Sequence, residues 1–185
     1  MSFSQDQIKL FVLAAHGNLE AVREMLEAQP GLRDLKFEQF DENALEAAGH
    51  VGREDIANHL LDQGAPLQVF AAAMLGRTED VRRFLETDSS LAQKRGVHGF
   101  SLMFHAALSG KTEIAELILH HGGSVDDAAL HAAVMKGHLG MTRWLLPRTQ
   151  NVNSPDYQGR TALAVALSMN RSDLADALRT AGGRG

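Results

Sequence analysis

Apolar residues recur along this chain at helical spacing, in pairs of short segments separated by a single glycine. The second segment of each pair carries the clearer stripe: Val22, Met25 and Leu26; Ile56, Leu60 and Leu61; Val81, Phe84 and Leu85; Ile114, Ile118 and Leu119; Met141, Leu145 and Leu146; Leu174 and Leu178. Steps of three and four residues put such a set on one helix face, where a neighbour can bury it. The first segment is rich in alanine instead, as in Leu130-His131-Ala132-Ala133-Val134 and Phe104-His105-Ala106-Ala107-Leu108. Its small side chains let two helices approach closely. The pattern predicts helix pairs over 5–15 and 19–28, 43–51 and 54–62, 68–75 and 78–86, 101–109 and 112–121, 127–136 and 139–146, and 161–169 and 172–180. Ser4 and Gln7 have the spacing of a capping box at the start of the first helix.

The turn within each pair falls at Gly17, Gly52, Gly76, Gly110, Gly137 and, in altered form, Asn170, at intervals of 35, 24, 34, 27 and 33 residues. Glycine and asparagine are the residues that best accept a left-handed backbone at such a turn. Self-similarity at this period predicts a solenoid in which each unit buries its apolar face only by stacking on the next.

These units resemble the ankyrin repeat. Gly159-Arg160-Thr161-Ala162-Leu163, Gly122-Gly123-Ser124-Val125-Asp126, Gly64-Ala65, Val152-Asn153 and the histidine at His131 carry the likeness, although the threonine-proline pair of the repeat is intact nowhere. The resemblance covers the whole chain and implies one all-α, ankyrin-type solenoid of six helix pairs, with repeats over about 4–31, 32–65, 66–90, 91–124, 125–150 and 151–185. Extended fingers are expected at 32–42, 91–100 and 149–160, and shortened connections at the two junctions with short intervals. The binding edge would then be notched. Arg179 and Asn170, in place of leucine and glycine, suit a terminal capping unit.

Hydrophobic content of 44%, charged content of 22% and no cysteine describe an ordinary globular chain without disulfides or thiolate metal sites. The start, Met1-Ser2-Phe3-Ser4, lacks the basic and apolar regions of a signal peptide, and no apolar run approaches the length of a membrane span. A cytoplasmic protein with no membrane role is expected. The net charge of −5 is uneven: residues 1–92 hold 8 basic against 16 acidic side chains, and residues 93–185 hold 10 against 7. An acidic front half argues against nucleic acid as partner. The split also allows weak head-to-tail self-association.

Signals for catalysis are weak. Ser109-Gly110-Lys111-Thr112 ends like a phosphate-binding loop, but His105 stands where the first glycine is required. The nine histidines include no H-E-x-x-H, and His120 and His121 diverge by about 100° on a helix. No metal, no cofactor and no enzyme activity are expected. The rival reading is an enzyme or small-ligand binder that uses a finger gap with His50, His105 or His131.

By the resemblance, the two residues before each turn glycine and the fingertips face the binding surface. They include Phe40, His50, Val51, Met74, Leu75, Val97, Phe100, Leu108, Met135, Lys136, Tyr157, Arg160 and Met169, with His16 and His98 in equivalent places. Exposed methionine, leucine and aromatic side chains in one run mark a partner surface, so the expected function is a non-catalytic adaptor or regulator that binds a protein through its concave face. Met74 and Leu75 precede a junction without a finger, where the next helix pair can cover them instead. Trp144 lies in a second-helix ridge and is expected in the core.

Overall fold

A computed structural model describes residues 3–185; Met1 and Ser2, the head of the start read as leaderless, lie outside them. The pairs are α1 (Gln5–Ala15) with α2 (Leu19–Ala28), α3 (Ala44–Val51) with α4 (Glu54–Asp62), α5 (Val69–Met74) with α6 (Thr78–Thr87), α7 (Leu102–Ser109) with α8 (Thr112–His120), α9 (Asp127–Met135) with α10 (Leu139–Leu145), and α11 (Ala162–Ser168) with α12 (Ser172–Thr180). The solenoid is all-α apart from one short hairpin, β1 (Lys36–Phe37) and β2 (Glu42–Asn43), in the first finger.

Every first helix except α5, which follows Gln68 without a side-chain cap, starts where a side chain satisfies its orphan amides. The Ser4 hydroxyl accepts the Gln7 amide while the Gln7 side chain accepts the Ser4 amide, which completes the expected capping box. Asn43, Ser101, Asp126 and Thr161 each accept the amide three residues on, at 2.9 to 3.1 Å. The lost threonine-proline pairs therefore cost little, because serine, asparagine and aspartate cap the same position.

First helices pack on first helices along one row and second helices on second helices along another. Ala47, Ala48, Ala72, Ala73, Ala106, Ala107, Ala132 and Ala133 are all fully buried in the first row. Ile56, Val81, Ile114, Ile118, Met141, Leu145, Leu174 and Leu178 fill the seam between the rows. Trp144 departs from expectation. It is only half-buried, donates its indole N–H to Glu116 at 2.6 Å, and lies under the Arg148 guanidinium, 4.2 Å from its ring centre. The indole proton needs a polar partner, which draws the ring to the rim of the seam.

Gly52, Gly110, Gly137 and Asn170 take the left-handed backbone expected of the turns, with φ of 71°, 72°, 75° and 56°. Gly17 does not. The first turn closes through His16 in a right-handed conformation (φ −72°), so this glycine is not conformationally required. At Gly110 the requirement is double, since a Cβ would also lie 2.7 Å from the His138 ring. That ring reaches back to the Leu108 carbonyl at 2.9 Å. Arg53 and Arg171 make the same move to the carbonyls of Gly17 and Gly137, so the residue after the turn staples its unit to the preceding one.

The second finger has a single bridge between Arg95 and Ser101, and the third is held by Asp156 rather than by strand pairing. Between α4 and α5, and between α8 and α9, the chain passes directly from helix to helix. The lost finger after α4 lets the second finger lean toward the first: Phe40 and His98 stand 6.0 Å apart between ring centres.

Candidate functional site

A groove of about 730 Å³ opens where the finger between α8 and α9 is missing. Its floor is Phe104 and Leu108 from α7, with His131 from α9. One lip is Val51 and Phe100; the other is Met135 and Tyr157. The spacing of the repeat explains the gathering, because Leu108 and Met135 each precede their turn glycine by two residues. Phe100 stacks on Phe104 at 4.1 Å between ring centres and continues toward His50 at 5.8 Å. Tyr157 is 86% exposed, the most exposed large apolar residue among those described.

The charged groups around this groove are engaged within the protein. The Lys136 ammonium donates to the Gly52 carbonyl at 2.6 Å, which ties the fifth unit to the second. Arg160 donates from both Nε and Nη2 to Asp156 Oδ2, at 3.0 and 2.8 Å. Burial works against the Asp156 carboxylate, but the amides of Arg160 and Gln158 and the Arg160 guanidinium outweigh it and hold its pKa below the usual carboxylate range. Asp127 accepts from the Thr149 hydroxyl and from the amides of Gln150 and Asn151. What the groove offers a ligand is apolar surface.

The anticipated site residues divide by environment. Phe40, Val51, Met135, Tyr157 and Met169 are exposed, and Val97, Phe100 and Arg160 are half-buried. Met74 is buried at 1% exposure and Leu75 is half-buried, because α7 packs directly on α5 even though the second finger stands between α6 and α7. Met74 is core. Leu108 is 2% exposed and contributes a groove floor rather than a protruding contact. Met169 stands apart from this groove, as does Phe40, which packs edge-on against Phe37 at 5.3 Å.

Of the rival's histidines, His105 is excluded from surface chemistry. It is 3% exposed, lies 5.0 Å from the Phe70 ring, and hydrogen-bonds the Ser101 carbonyl at 2.8 Å. Burial pushes its pKa down to about 4, against the contrary pull of that carbonyl. His131 donates from Nε2 to the Ser154 carbonyl at 2.7 Å, and its buried Nδ1 has no partner. His105 thus fills the same place in its unit as His131, one residue after the unit's leading apolar side chain.

His50 belongs to a second, polar group. Its Nδ1 lies 3.1 Å from Oε1 of Glu42, which His98 and His16 approach to 3.7 and 3.8 Å. These four residues come from the C-terminal cap of α1, the first finger, α3 and the second finger, so no sequence spacing announces them. Glu42 in particular carries no local signal beyond its place next to a helix cap.

The ankyrin repeat family model, of three copies, matches residues 123–183. A putative ankyrin repeat protein of fowlpox virus is 30% identical over 56% of this chain and 25% of its own length. An L-asparaginase of Dirofilaria immitis is 34% identical over 54% of this chain and 18% of its own, and mouse inversin 28% over 59% and 11%. The chain spans a quarter or less of these relatives. Among solved structures, an ankyrin repeat domain from Acinetobacter baumannii superposes with a TM-score of 0.54 and 21% identity, covering 94% of this chain and 98% of the other. Ankyrin repeats generally serve as protein–protein interaction modules, and the fold is typically non-enzymatic. No helix among the described residues is long and apolar enough to cross a membrane.

Proposed function

We propose that this ankyrin-repeat protein is an adaptor or regulator that captures a protein partner in the groove between its second and third fingers. The observation that carries the reading is the combination of apolar lips with fully engaged neighbouring charges. Val51, Met135 and Tyr157 stand exposed beside the stacked Phe100, while Lys136, Arg160, Asp127 and Asp156 are satisfied internally. A partner segment that inserts an apolar side chain over Phe104 and Leu108 gains burial without leaving a charge unpaired. Tyrosine and methionine suit this role, one as a rigid anchor and the other as an adaptable wall.

The test is a peptide-display selection against the immobilised chain, repeated with a Tyr157→Ala/Met135→Ala variant. Enriched peptides should carry an apolar anchor and lose affinity by about tenfold or more on the double variant. Peptides that bind both proteins equally would refute the groove. The expected cytoplasmic setting belongs to the same proposal and is supported by the absence of cysteine.

A small-ligand reading has one observation in its favour. The unpartnered His131 Nδ1 lies buried beneath the groove floor, an acceptor that a ligand N–H or O–H would fill only by displacing the side chains above it. A His131→Phe variant that abolishes small-molecule binding and leaves peptide binding intact would favour it.

A further inference from the structure

Glu42 is 1% exposed, and its Oε1 receives no hydrogen bond. A carboxylate held out of water without a partner is strongly unfavourable, so something must complete its environment. Three imidazoles surround that oxygen at 3.1 to 3.8 Å, and one ligand atom from each of the four residues lies within 4.8 Å of all the others. The rings meet edge to face, with His50 5.0 Å from His16 and 4.9 Å from His98 between centres.

We propose that His16, Glu42, His50 and His98 form a binding site for a divalent transition-metal ion of the zinc type. Zinc bonds to nitrogen and oxygen of about 2.0–2.1 Å correspond to tetrahedron edges of about 3.4 Å. Nε2 of His98 and Nε2 of His16 stand 3.7 and 3.8 Å from Glu42 Oε1, within about half an ångström of that edge, while His50, whose Nδ1 is the nitrogen at 3.1 Å, would bind through its Nε2. Three imidazoles with one carboxylate favour zinc, nickel or copper over the hard cations magnesium and calcium, which take oxygen ligands.

The surrounding hydrogen bonds prepare the ligands. His16 Nδ1 lies 3.0 Å from the Val12 carbonyl. A carbonyl only accepts, so Nδ1 carries the proton and Nε2, the nitrogen facing Glu42, keeps its lone pair. His50 Nδ1 likewise donates to the Glu46 carbonyl at 3.2 Å. That commitment explains why the neighbouring Glu42 oxygen is unserved, and it leaves His50 Nε2 unprotonated. His98 is held at φ 58°, a left-handed conformation uncommon outside glycine, though histidine, asparagine and aspartate adopt it more readily than other residues. The finger bends there and brings the imidazole toward Glu42. The lost finger after α4 makes the site, because an intervening finger would keep His98 away from His50.

Four protein ligands and no open position describe a structural rather than catalytic ion. It would pin the ends of α1 and α3 to both fingers. The tests use the full chain, stripped with chelator and titrated with Zn2+ alone by calorimetry, and with Co2+ alone by visible absorption. We expect one equivalent bound, a tetrahedral Co2+ spectrum and a rise in melting temperature. Glu42→Gln and His98→Asn should each weaken binding by at least about tenfold, the lower end of what loss of a mere outer-shell partner costs. Asparagine tolerates the backbone at position 98, so that variant keeps the test alive if Glu42→Gln does not fold. A His120→Gln/His121→Gln variant should bind as the parent does. Absence of binding to the parent chain, or equal affinity in parent, Glu42→Gln and His98→Asn, would overturn the proposal; so would loss of binding in the His120/His121 variant alone.

Discussion

The two ends of the inner wall use one repeat position in opposite ways. Two residues before the turn glycine, α3 places His50 beside a buried carboxylate, whereas α7 and α9 place Leu108 and Met135 in an apolar groove. The backbone is the same in both, with left-handed glycines at 52, 110 and 137 closing each helix. The difference lies in what stands opposite. Where a finger has been lost after α4, the next finger folds in and presents His98; where one has been lost after α8, the gap stays open between Phe100 and Tyr157. A repeat scaffold therefore sets positions, and the missing fingers decide whether those positions meet each other or a ligand.

The sharpest way to break this contrast is by pH, because the histidine buried near its midpoint is neutral. In the unfolded chain His105 takes up a proton near pH 6.5, but in the folded chain only near pH 4. Its folded pKa is depressed for a base, so unfolding binds a proton across that window. The stability it contributes is whole above pH 6.5 and falls by about 3 kcal/mol as pH drops to 4. Urea unfolding at several pH values should show this slope, and His105→Leu should flatten it.

Turn chemistry comes next in size. Gly110→Ala should cost about 1–2 kcal/mol for the left-handed backbone alone, with more from displacing the His138 ring. Gly17→Ala, where φ is not positive and the nearest atom to an added Cβ is Arg53 Nη1 at 3.4 Å, should stay within about 0.5 kcal/mol of the parent. Equal losses from these two variants, measured by chemical denaturation, would contradict the distinction between the first turn and the others. At the polar end, Glu42→Gln in chelator-treated protein at pH 8 should be neutral or stabilising by about 1 kcal/mol, since it removes an unserved buried charge. The smallest effect is expected at the apolar end: Tyr157→Ala should shift stability by less than about 0.5 kcal/mol while weakening peptide capture.

Most of the fold was legible because helix periodicity, alanine content and turn glycines are local signals. Each helix lies within one residue of the stretch its apolar pattern outlines. The exceptions are places where tertiary contacts overrode the pattern. Trp144 left the ridge for a hydrogen bond to Glu116, and Met74 went under α7, which packs directly on α5. The groove was half legible. Met135, Tyr157 and Val51 stand out as repeat positions, but Leu108 could not be known as floor rather than lip without the depth of its packing. The histidine–glutamate group was illegible, since its members are 16, 42, 50 and 98 and only the folding-in of the second finger unites them.

The bond from the Lys136 ammonium to the Gly52 carbonyl spans 84 positions of sequence and bypasses two intervening units. Linear arrays lose their ends first, because each module feels only its immediate neighbours. A strut between the second and fifth modules makes this chain behave partly as a closed ring. Fraying from either terminus should therefore halt at that strut, leaving a central block that melts as one.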